Sequence, residues 1–168
     1  KFGTKKWEPR ADKLMDAGVL YHSQGEAGVD YWRAWMLSQE FQIMEGHFGD
    51  YWNIANAAID IRAYIPEGSM SAVADESQQF IPFGTHTENT GFCMRKMRAE
   101  TPNNGWTDIE LVCFEGKSLH IINGKVVMVL QNYRYFDGEK FQPLVEGKIQ
   151  LQSEAGEVYY KDIKIKPI

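Results

Sequence analysis

The sequence predicts an all-β protein, a sandwich or barrel of antiparallel strands, and three observations carry that expectation. Apolar and polar residues alternate with period 2 through most of the chain, whereas helical periodicity is scarce. Turn residues recur about every 8 to 12 residues, the spacing of sandwich and barrel strands. Asn123-Gly124 stands between two alternating runs and is a preferred pair for a two-residue hairpin. The 168 residues suit one domain, residues 1–168. The sequence shows no internal repeat of about 20–50 residues, which excludes a propeller or solenoid.

The opening KFGTKKW reads as a strand met part-way along. In 17–24, AGVLYHSQ, Leu20 and His22 fall on one face and Val19 and Tyr21 on the other. Residues 30–36, DYWRAWM, fit either a short helical turn or an aromatic loop. Strand 38–45 follows, with Phe41 and Ile43 on the core side and Glu40, Gln42 and Met44 opposite. Gly46 and Gly49 bracket a turn, and 50–54 and 58–64 read as strands. From 66 to 89 periodicity dissolves into Gly, Pro, Ser and acids, and the reading is a long functional or disordered loop. Strands resume at 91–98 and 107–114, then in the hairpin 119–122 and 125–130. Residues 141–145 contain Pro143 and suit a loop or an edge. Strand 147–152 is expected to turn Ile149 and Leu151 inward. The last strand, 157–168, shifts phase at Asp162, as a bulge does.

The net charge of −5 argues against a nucleic-acid partner. The sequence contains no apolar run of 18 residues that would cross a membrane as a helix. Aromatic residues are 13% of the chain, and many sit beside Gly, Asn and Asp, which suits stacking on sugar rings as well as core packing. Cys93 and Cys113 read as free thiols. P-loop, dinucleotide, nucleophile-elbow and CxxC patterns are all absent.

Glu40 and Gln42 are therefore the centre of interest: a carboxylate and an amide on one face of a rigid strand. Aromatic residues flank them, Trp32 and Trp35 before and Trp52 after. His22, on the preceding strand, is placed to pair with Glu40 as acid and base, or to share a metal with it. Glu45 and Asp50 beside the Gly-rich turn are further candidates for a divalent cation. His86 closes the long loop and is a candidate substrate contact. A retaining glycosidase needs a second carboxyl on the same face, about 5–5.5 Å away. Gln42 occupies that position, so the two-carboxylate mechanism looks broken on this strand.

The ordered motifs GTKKWEPR, DAGVLYH, SQEFQIMEGHFGDYW, GWTDIELVCFEGKSLHIINGKVV and GKIQLQSEAGEVYYKDIKIKPI resemble the 3-keto-disaccharide hydrolase family, over nearly all of the chain except 66–89. The resemblance implies a concanavalin A-like jelly-roll sandwich. It also implies strands preceding the stretch that matches residues 1–10, so an exposed edge or unpaired core face is expected if those strands are absent. Family members have Asn or Asp, then Ser-Gly, where Asp16-Ala17-Gly18 stands, Trp-Asn in place of Trp106-Thr107, and a His near Glu154.

By resemblance the implied partner is a carbohydrate, the implied setting is secreted, periplasmic or lipoprotein in bacteria, and the implied chemistry is cleavage of 3-keto-glycosides. A ketone at C3 acidifies the C2 proton. One base, with one group or a divalent metal on the carbonyl, then suffices for elimination and hydration. Glu40 or His22 would be the base, Gln42 would bind a hydroxyl, and Trp32, Trp35 or Trp52 would stack on the ring. The alternative is a non-catalytic, lectin-like carbohydrate-binding domain. The two part at Glu40, whose carboxyl an enzyme needs for turnover. A structural or adhesion module would lack an aromatic-lined cleft altogether.

Overall fold

The computed structural model describes residues 1–26 and 34–168. Among these the named elements are one short 3-10 turn, Glu8–Arg10, and fourteen strands. The strands are β1 (Phe2–Lys6), β2 (Asp16–Gln24), β3 (Leu37–Met44), β4 (Tyr51–Ile54), β5 (Ala57–Tyr64), β6 (Ala72–Ala74) and β7 (Phe80–Gly84), then β8 (Phe92–Met94), β9 (Ile109–Phe114), β10 (Lys117–Ile122), β11 (Lys125–Phe136), β12 (Phe141–Pro143), β13 (Lys148–Leu151) and β14 (Gly156–Val158). The fold is all-β, a curled sheet folded on itself as a jelly-roll sandwich. The sheet runs β13-β2-β3-β4-β8-β6-β5-β11-β10-β9, with β12 beside β11 and β7 beside β5, while β1 and β14 form a separate ribbon. Strand β5 is the corner. Ala63 and Tyr64 pair with β6, residues 58–62 pair with β7, and β11 takes its other edge.

Alternation places the core between the two halves. Phe41, Ile43, Tyr51 and Tyr21 from β2 to β4 meet Ile122, Met128 and Leu130 from β10 and β11 in one buried cluster. His120 seals the centre. It stacks on Phe41 with ring centroids 4.2 Å apart, faces Tyr21 Oη at 3.3 Å and Gly49 O at 3.2 Å, and burial lowers its pKa to about 4. Gly49, at φ +97°, brings the backbone this close, since a Cβ there would stand 2.6 Å from Val127. Asn123 and Gly124 both take positive φ and close the β10–β11 hairpin as the sequence predicts. Cys93 and Cys113 are free thiols, the first buried and the second partly so.

Several expectations are corrected. The span 66–89 carries β6 and β7, whose three and five residues are too short to show a period until β5 pairs with them. Pairing is antiparallel except between β6 and β8, which run parallel because a long excursion, and not a hairpin, joins them. Ile149 and Leu151 are not buried, although Leu151 pairs with Val19 and so lies on the core side of the sheet. They are 55% and 46% exposed on β13, the edge strand of the sheet among the described residues, beyond the buried cluster. The last strand is shorter than its pattern suggests. The β1–β14 ladder ends where Lys1 and Tyr159 exchange bonds, and Ile163 and Ile165 beyond it are exposed.

Candidate active site

Register, more than any single motif, assembles the site. Gln150 lies opposite Leu20, Leu20 opposite Glu40, Glu40 opposite Trp52, and Trp52 opposite Phe92. Directly paired residues share a face, so these five form one row across β13, β2, β3, β4 and β8, on the side away from the core. Gly18 lies opposite Gln42, and the Gln152 N–H donates to Gly18 O, which adds a parallel row. Asp16 bridges to Glu154 and pairs with Met44 in a third. The three rows enclose a cavity of about 630 Å³ whose lining includes Asp16, Trp35, Glu40, Gln42, Trp52, Gln152 and Glu154.

Gly18 makes the hollow. A Cβ there would collide with Glu40 Oε1 and stand 2.7 Å from Gln152 Oε1. Glu40 therefore leans across a residue without a side chain. The residue is 4% exposed, and among the described residues its Oε1 has no hydrogen-bond partner. Burial pushes its pKa up to about 8, and the nearby Asp16 charge adds to the rise.

Asp16 is differently held. Its Oδ1 accepts from the Ala17 N–H and from Gln42 Nε2, each at 2.8 Å. Burial raises it to about 6, against the pull of these donors and of Arg10. Glu154 is ion-paired with Arg10 and accepts from Gln152 Nε2 at 2.7 Å. Both amides are oriented by carboxylates, so the oxygens of Gln42 and Gln152 remain buried without partners among the described residues. Tyr160 braces the segment after β13, donating to Gln152 O at 2.8 Å.

A family model described as the 3-keto-alpha-glucoside-1,2-lyase-like domain matches residues 4–166. The chain belongs to that family. This agrees with the resemblance carried by the motifs, and it places the chain among carbohydrate-active proteins. No curated protein and no solved structure matches it.

Of the site residues expected from sequence, the structure of this family member brings Glu40, Gln42, Trp35 and Trp52 together. Trp32 lies outside the described residues. His22 is not brought to Glu40. A bulge in β2 after Tyr21 sets His22 at φ +54° and turns its ring onto Tyr133, 4.7 Å away, outside the cavity lining. Burial lowers its pKa. His86 is exposed and stacks on Phe136 at 4.0 Å, also outside the cavity.

The metal candidates do not converge. Glu45 is exposed, whereas Asp50 is buried and engaged by Arg95 at 3.0 Å and His47 at 3.2 Å. Among the described residues no group of three His, Cys, Asp or Glu could hold a metal ion. Asp16 and Glu154 instead spend oxygens on amide and guanidinium donors, so the donor set does not fit a divalent cation. Asp16, Gln152 and Glu154 were not expected at the site. Asp16 shares the period-2 face of Gly18, but only β2–β3 register shows that this face meets Glu40.

Proposed function

We propose that the protein is an enzyme that cleaves 3-keto-glycosides, disaccharides among them, in an extracytoplasmic setting. Cleavage proceeds by removal of the C2 proton, loss of the C1 substituent and addition of water across the resulting double bond. The carrying observation is the cavity floor, where Glu40 Oε1, Gln42 Oε1 and Gln152 Oε1 lie without partners among the described residues, in a cavity that Trp35 and Trp52 also line. A sugar supplies hydroxyl donors for such acceptors and an apolar ring face for the indoles. Membership of the 3-keto-alpha-glucoside-1,2-lyase-like domain family supports the keto-sugar. Glu40 is a carboxyl at the reacting centre.

The test is incubation of the protein with 3-keto-glucosides and with their unoxidised parents, following release of the aglycone. Release from the keto compounds alone is expected, together with its loss in Glu40→Ala. Binding of either set without release would make the domain a lectin, and release from neither would sink the enzyme reading.

A further inference from the structure

Two carboxyls face the same cavity under opposite conditions. Asp16 Oδ1 receives two hydrogen bonds, and such donors stabilise an ionised carboxylate. Glu40 lies on the adjacent strand, deeper, with Oε1 unpartnered among the described residues and set over the gap at Gly18. A buried carboxyl oxygen with no donor among the described residues favours the neutral acid. The groups facing the pair are Arg10, Glu154 and Tyr160. Arg10 is paired to Glu154 and acts on Asp16, so the pair's local cation favours charge on Asp16.

On the reading that the protein cleaves 3-keto-glycosides, we propose that the two carboxyls divide the reaction: ionised Asp16 is the base that takes the C2 proton, and protonated Glu40 donates a hydrogen bond to the C3 carbonyl oxygen. As the C2–H bond breaks, its electron pair becomes the enolate across C2 and C3, and the charge on O3 is met by the Glu40 O–H. When the pair returns, the C3 carbonyl re-forms, C1 and C2 become doubly bonded, and the C1–O bond breaks. The departing oxygen takes up the proton that Asp16 acquired, directly or through water. Water then adds OH at C1 and H at C2. A carboxylic acid kept neutral in an apolar site is a known form of oxyanion donor. The missing second carboxyl of β3 is thereby replaced by one from β2.

The probe is a methyl 3-keto-glucopyranoside in D2O, with C2 hydrogen exchange and methanol release followed by NMR. Asp16→Asn should lower both at least about 100-fold, the scale of a lost general base. Glu40→Gln, whose amide still donates, should keep a measurable fraction of both. The wild-type kcat/KM profile should rise near pH 6 and fall near pH 8, the apparent values of the coupled pair. Glu40→Gln should lose the alkaline fall.

Near-wild-type exchange in Asp16→Asn, or complete loss in Glu40→Gln, overturns the division. Infrared spectra at pH 7 give a readout independent of turnover. A protonated-carboxyl band should be present in the wild type and absent from Glu40→Gln, and its absence from the wild type overturns the assignment. A wild type that neither exchanges nor cleaves overturns the functional reading beneath it. An active wild type with the variants reversed overturns the division alone.

Discussion

At Gly18 the cavity depends on a missing side chain. Glu40 and Gln152 both reach into the space that a Cβ would fill. Gly18→Ala must therefore push the Glu40 carboxyl aside, a shift that flexible side-chain ends can make without loss of the fold. Turnover of a 3-keto-glucoside should fall at least about 10-fold while the fold survives, as kcat/KM and urea denaturation would show. Unchanged turnover would mean that the carboxyl position is immaterial.

Glu40 also marks the protein's stability. Its folded pKa of about 8 lies above the ordinary 4.5, so between those values the folded state binds the extra proton. Stability is then present at low pH and declines as pH rises through that window. Glu40→Gln should remove a decline on the order of 3 kcal/mol between about pH 5 and 8. Parallel stability curves for the two proteins would refute the buried, protonated carboxyl.

At the level of elements, the turn between β3 and β4 keeps Trp52 opposite Glu40. Asp50 anchors that turn from inside. Its Oδ1 accepts from the Arg95 backbone N–H at 2.9 Å and from the guanidinium at 3.0 Å, and Arg95 reaches Gly46 O at 2.5 Å. Removing one partner of a buried pair strands the other. Asp50→Ala should therefore cost about 3–5 kcal/mol in chemical denaturation. Truncation of the half-exposed His47 should cost under about 1 kcal/mol. Equal costs would show that the anchor is not the ion pair. The β2 bulge is the counterpart on the other side of Glu40. One residue at positive φ removes His22 from the row and leaves β2 to supply Asp16 and the segment after β13 to supply Gln152 and Glu154.

For the molecule as a whole, charge defines which sugars suit the cavity. The chain carries −5, and three acidic residues line the site. Arg10, the cation acting on Asp16, is already paired with Glu154. An anionic sugar would meet like charge with no free cation among the described lining residues. A 3-keto-glucuronide should thus be turned over at least about 10-fold less efficiently than the neutral 3-keto-glucoside, with the gap narrowing in high salt. Equal kcat/KM for both would show that the acids do not face the substrate.

Alternation and turn chemistry made the all-β fold, the Phe41–Ile43 core face and the Asn123-Gly124 hairpin legible in the sequence, because each depends on neighbours a few residues away. The ordered motifs made the family legible, and the β3 pattern with its aromatic flanks pointed to Glu40, Gln42, Trp35 and Trp52, which line one cavity. Three things were not legible: the bulge that turns His22 away, the strands within 66–89, and the exposure of Ile149 and Leu151 at the sheet edge. Each depends on which strand lies alongside, and register couples residues far apart in the chain. For the same reason only the tertiary structure could put Asp16 beside Glu40. The second carboxyl that β3 lacks comes from β2, and Gly18 leaves the room into which Glu40 leans.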